Sequence, residues 1–137
     1  MRLVLDANIL IAALIKDGTP RRLLLMHHDK LELYTPALIV EEIFENLDYI
    51  SKTARLPKEK VIELMIELLG TAGIELIEDE FIIAHKAEAL EITPDKNDGP
   101  YFAAALYKRC RIWSNDKPLK GQSKIEVITT KELLKSL

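Results

Sequence analysis

The chain has 137 residues, enough to bury one hydrophobic core and too few for two full ones. Hydrophobic residues make up 48% and charged residues 30%, which excludes a disordered chain, and the longest apolar runs fall well short of the roughly 20 residues a membrane span needs. The net charge of −3, with 22 acidic against 19 basic residues, argues against a nonspecific nucleic-acid coat but leaves room for an acidic site beside a local basic strip.

In chain order, Arg2 to Leu5 reads as a strand, followed at once by Asp6; no cleavable leader is expected there. Leu10 to Leu14 and Arg21 to His28 read as helices on either side of a turn at Lys16-Asp17-Gly18-Thr19-Pro20. Leu31 to Tyr34 is a second strand, after which Thr35 and Pro36 predict an N-cap and first-turn proline for a helix over Ala37 to Ile50. Lys58 to Leu69 is a helix that Gly70 is expected to end. Ile74 to Ile77 is a strand, Phe81 to Leu90 a helix, and 93–100 a loop before an alanine-rich helix from Tyr101 to Arg109. Arg111 to Trp113 and Ile125 to Ile128 complete the strands, and Thr129 to Leu137 makes a last helix. Short apolar strands interleaved with helices predict a single domain over 1–137: a three-layer α/β/α sandwich around a central parallel five-stranded sheet. The lone cysteine, Cys110, cannot form an internal disulfide, so a reducing cytoplasm is the expected compartment.

In an open parallel sheet, ligands bind beyond the carboxyl ends of the strands, so the polar residues that directly follow strands carry the most information. Asp6 follows the first strand; Ser114, Asn115 and Asp116 follow Trp113. Asp98 stands at a helix start, and a glutamate lies about two turns into the helix after the second strand. Carboxylates drawn together repel, and a hard divalent cation with oxygen ligands, Mg²⁺ or Mn²⁺, is the usual remedy. Each aspartate also has a purely structural reading as a helix cap. On the helical wheel Ile39, Val40, Ile43, Phe44 and Leu47 form the apolar face, with Glu41 and Glu42 flanking it on opposite sides, so periodicity does not choose between them.

The ordered set of motifs resembles the PIN-domain family, which includes VapC-like toxins. Val4-Leu5-Asp6-Ala7-Asn8 is similar to its first motif, and Tyr34-Thr35-Pro36 through Glu42-Ile43 to its second. Pro94-Asp95-Lys96-Asn97-Asp98 before Tyr101-Phe102-Ala103 resembles the third, and Trp113-Ser114-Asn115-Asp116 the last. Gly99-Pro100 departs from the small or acidic residues usual after the third motif. The resemblance implies a metal-dependent endoribonuclease with Asp6, Glu42, Asp98 and Asp116 as catalytic residues. It selects Glu42 over Glu41, makes Asp6, Asp98 and Asp116 the metal ligands, and gives Asn8 and Ser114 supporting roles, with Asp95 as an extra acid. It also allows a cognate antitoxin protein as partner. The rival within the family is a weakly active or inactive PIN-fold subunit that binds RNA or protein in an RNA-processing complex.

Phosphatase and receiver-domain readings fit less well. The first expects a second aspartate where Asn8 stands, and the second expects paired acids after the first strand. For an RNA substrate, Lys16, Arg21 and Arg22, flanking a turn expected near Asp6, and Lys117 and Lys120 after Asp116 are the candidate phosphate contacts. His27, His28 and His85 have no metal-ligand spacing, and Cys110 reads as a small core residue. In the helix from Lys58, apolar residues cover an arc of about 200°, wider than one core requires, so a homodimer is expected.

Overall fold

The computed structural model describes residues 1–137. Its five parallel strands are β1 (Arg2–Leu5), β2 (Glu32–Pro36), β3 (Glu75–Ile77), β4 (Arg111–Trp113) and β5 (Val127–Ile128), in the order β3-β2-β1-β4-β5. The chain therefore steps outward from β1 to β2 and β3, then returns past β1 to β4 and β5. Val4 lies opposite Tyr34 on one side and Ile112 on the other, and Leu5 pairs with Trp113. Leu3, Val4, Leu5, Ile112 and Trp113 are wholly inaccessible, as expected of short apolar strands covered on both faces.

Parallel crossovers are right-handed, so reversing the direction of travel moves the connecting helices to the other face. On the first face, α1 (Ala7–Ile15) packs against α2 (Thr19–Met26), α3 (Ile39–Glu45), α4 (Leu47–Ala54) and α5 (Lys58–Thr71). On the second, α6 (Asp79–Ile82) and α7 (Lys86–Ile92) cover α8 (Gly99–Lys108), which lies directly over β2, β1 and β4. With the sheet on one side and helices on the other, α8 is enclosed; Ala103, Ala104 and Ala105 are all inaccessible and let it approach the strands closely. A terminal helix, α9 (Thr130–Ser136), is started by a capping box in which Thr129 and Glu132 satisfy each other's backbone N–H groups. No helix is long and apolar enough to cross a membrane.

Several predicted boundaries move, each for a local reason. Thr35 and Pro36 do not open a helix; both lie in β2, where the Thr35 hydroxyl donates to the Leu5 carbonyl at 2.9 Å, and the helix starts at Ile39. The continuous helix expected over 37–50 breaks at Asn46, whose side chain donates to the Glu42 carbonyl at 2.8 Å. Within the shortened α3, Phe44, predicted on the buried face, is 48% exposed. Gly70 does not end α5, which runs on to Thr71; the left-handed residue is Gly73, at φ +62°. The helix expected over 81–90 is interrupted by a 3₁₀ turn at Ile83–His85, and the last strand is only Val127–Ile128.

Candidate active site

Strand β1 is flanked by strands reached in opposite chain directions, so the crevice beyond its carboxyl end is the switch point where open α/β sheets bind ligands. Asp6 emerges there, only 3% exposed, its backbone N–H donating to the Trp113 carbonyl at 3.1 Å. From the adjacent β4, the Ser114 hydroxyl donates to Asp6 Oδ2 at 2.7 Å and accepts the Asp116 backbone N–H at 3.0 Å. One serine thus joins the two strand ends that carry aspartates.

Asp98 enters at the start of α8, and Glu42 from α3. Tyr101, one turn into α8 and 1% exposed, donates its hydroxyl to Glu42 Oε1 at 3.1 Å. Motif reading overlooked this tyrosine; the only signal in the sequence is that it stands three residues after Asp98, on the same helical face. Glu41 is exposed and points elsewhere, lining a small pocket with Pro36 and Glu78.

The capping alternative can be decided residue by residue. Asp6, Asp98 and Asp116 each occupy the position before a helix or 3₁₀ turn, yet none makes a capping hydrogen bond of ordinary geometry, although the Ala7 and Asn8 N–H groups still pull the Asp6 carboxyl down. Asp95 does make one: its carboxylate accepts the Asn97 N–H at 3.0 Å, which makes it a turn residue. Uncapped acids at the N-termini of α1 and α8 are still favoured by the helix dipoles.

The acids perturb one another. Burial holds the Asp6 carboxyl above its ordinary range, opposed by the Ser114 hydrogen bond and reinforced by Asp116. Burial also raises Glu42, with the Tyr101 hydroxyl pulling the other way and Asp6 adding to the rise. Asp98 is pushed up to about 6, first by burial and then by Asp6, Asp95, Asp116 and Glu42. The acids are therefore within electrostatic range of one another. As the side chains stand, however, no three His, Cys, Asp or Glu residues are close enough to hold one ion. Binding one shared ion would require these side chains to move closer together.

The remaining predicted residues are scattered. Asn8 is exposed and makes no hydrogen bond with its side chain. Lys16 ends α1, about 15 Å along the helix from Asp6, because α1 carries the chain away from the site. Arg21 donates to the Ala13 and Leu14 carbonyls at 2.7 and 3.2 Å, closing the end of α1, and Arg22 pairs with Asp17. Lys120 pairs with Glu132. Lys117 is exposed and unpaired beside Asp116, and Lys96, not anticipated, is equally free two residues before Asp98. Asn115 is structural: its side-chain oxygen accepts the Thr130 N–H at 2.8 Å.

The raised Asp98 carboxyl has a consequence for stability. An acid that holds its proton more tightly when folded costs stability as pH rises from its unfolded value, near 4, through about 6, and the loss persists above. Solvent screening reduces the nominal ~3 kcal/mol to about 1 kcal/mol. In metal-free thermal melts, Asp98→Asn should therefore gain on wild type above pH about 6, and the gain should vanish near pH about 4. A difference independent of pH would show that Asp98 stands apart from the other acids.

The comparisons with known proteins bear on the family and the fold. The PIN domain family matches residues 4–137. Among solved structures, the chain is similar to one in the crystal structure of VapBC2 from Rickettsia felis bound to a DNA fragment from their promoter. The TM-score is 0.67 at 14% identity, over 94% of this chain and 98% of that one, a likeness of fold. No curated protein matches the sequence. With nearly its whole length matched, the chain belongs to the PIN domain family.

Proposed function

We propose that this protein is a metal-dependent endoribonuclease that hydrolyses RNA phosphodiester bonds at Asp6, Glu42, Asp98 and Asp116. The supporting observation is that three aspartates stand at helix starts around one strand end, none held by a capping hydrogen bond of ordinary geometry. Placing acids where each raises the next is destabilising, and such perturbed clusters in a switch-point crevice are characteristic of functional sites.

The donor set is all oxygen, with no histidine or cysteine, and so fits Mg²⁺ or Mn²⁺ held by Asp6, Asp98 and Asp116. When bound, such an ion supplies Lewis acidity toward the phosphate and eases deprotonation of water. The chain's own residues do the rest. Ser114 fixes the Asp6 carboxylate, and Tyr101 fixes Glu42. Glu42, held at one oxygen and kept basic by burial, has its other oxygen available to orient the attacking water and take its proton. The exposed amino groups of Lys96 and Lys117 and the N-terminus of α8 favour a phosphate arriving at the site.

RNA cleavage titrated with Mg²⁺ and Mn²⁺ tests the assignment. Asp6→Asn and Glu42→Gln should each lower the rate at least about a hundredfold, and Tyr101→Phe about tenfold, while Glu41→Gln leaves it nearly intact. Loss with Glu41→Gln but not Glu42→Gln would reverse the choice between the two glutamates. A folded wild type that cleaves no RNA at any metal concentration would favour the binding subunit.

The likeness to a VapBC2 chain supports a role as the toxin of a toxin–antitoxin pair, with a cognate antitoxin as partner. Self-association is also part of this reading. On α5, Val61, Met65 and Leu68 are buried in the core, Ile62, Leu64 and Leu69 only partly, and Ile66 is 62% exposed, leaving apolar surface for a second copy. Sedimentation at tens of micromolar should give a dimer that Ile66→Glu weakens; a strictly monomeric mass contradicts it.

A further inference from the structure

A cavity of about 600 Å³ lies at the other edge of the sheet, around the first residues of β1 and β4 and the end of α8. Strand β1 separates it from Asp6 by about 13 Å. Arg2, Arg109, Arg111 and Lys124 line it, against one carboxylate, Glu126. In a chain whose net charge is −3, this is a local reversal of sign. Ala105, Leu106 and Ile125 supply an apolar wall. Two of the cations have carboxylate partners, Arg2 with Glu32 at 3.6 Å and Arg111 with Glu126 at 3.2 Å, but both pairs are solvent-exposed and so weakly held. Arg109 and Lys124 are exposed and have no partner.

We propose that this cavity is a second ligand site, separate from the carboxylates, for a phosphate-bearing molecule of mononucleotide size. Its volume falls in the range of small-molecule sites. Three planar guanidinium groups match the several charged oxygens of a tetrahedral phosphate better than the two of a single carboxylate. The apolar wall offers a surface for a flat, weakly polar body such as a base. Neither the fold nor the nuclease reading requires these cations.

The molecule carries its own reporter. Cys110, its only cysteine, is half-buried in the wall of the cavity, so an occupant should shield the thiol. Arg109 also permits a clean variant. It occupies the left-handed position that ends α8, at φ 53°, with the Cys110 N–H donating to the Ala105 carbonyl at 3.1 Å. Glycine is favoured at that position, so Arg109→Gly removes the guanidinium while keeping or raising stability.

The experiment measures the alkylation rate of Cys110 in the full chain with increasing AMP, adenosine as the uncharged control. AMP should slow alkylation saturably and adenosine should not. Arg109→Gly, melting at or above wild type, and Lys124→Glu should each require at least tenfold more AMP, and added salt should act in the same direction. The proposal is overturned if AMP gives no saturable protection, if adenosine protects equally, or if both variants respond as wild type does.

Discussion

The site depends on one short hydrogen bond across the middle of the sheet, from the Ser114 hydroxyl to the buried Asp6 carboxylate. A carboxylate only 3% exposed is expensive to keep charged, and one good donor offsets part of that cost. The donor can be there because β1 and β4 are neighbours in register, with Leu5 opposite Trp113, so that the residues following each emerge side by side. That adjacency exists because the chain reverses direction after β3 and returns past β1. Topology thus places a serine beside an aspartate, and the serine then holds Asp116 through its backbone N–H.

The other two acids reach the same edge by a different route. α8 lies over β2, β1 and β4, brought close by its buried alanines, and presents Asp98 at its first turn and Tyr101 one turn later. Tyr101 then reaches Glu42 from α3, so a single side chain ties helices on opposite faces of the sheet at their shared edge. Packing and chemistry are coupled here: whatever loosens α8 loosens both Asp98 and Glu42.

Much of this was legible in the sequence, because short apolar strands followed at once by aspartate fix both strand and edge. β1 and β4 lie at the limits expected for that reason, with Ser114 joining Asp6 to Asp116 and Tyr101 joining α8 to Glu42. What sequence obscured was tertiary. Thr35-Pro36 has the chemistry of a helix start, yet pairing with β3 and the Thr35 hydroxyl bond to the Leu5 carbonyl keep it extended. Asn46 has no strong breaking propensity, yet the helix divides there, where its side chain and its backbone N–H both donate to the Glu42 carbonyl. Lys16 and Arg21 look close to Asp6 in sequence, but the length of α1 removes them to its far end. The cavity of cations at the amino edge joins residues from both ends of the chain and has no local signature.

The central claim is that these separated carboxylates form one site for a hard divalent cation. Counting Mn²⁺ ions by loss of the free-ion electron paramagnetic resonance signal, for wild type and Asp6→Asn, tests it without reference to substrate. The account predicts saturable binding to wild type and at least tenfold weaker binding to the variant. Equal binding by the two proteins, or none by either, would contradict it.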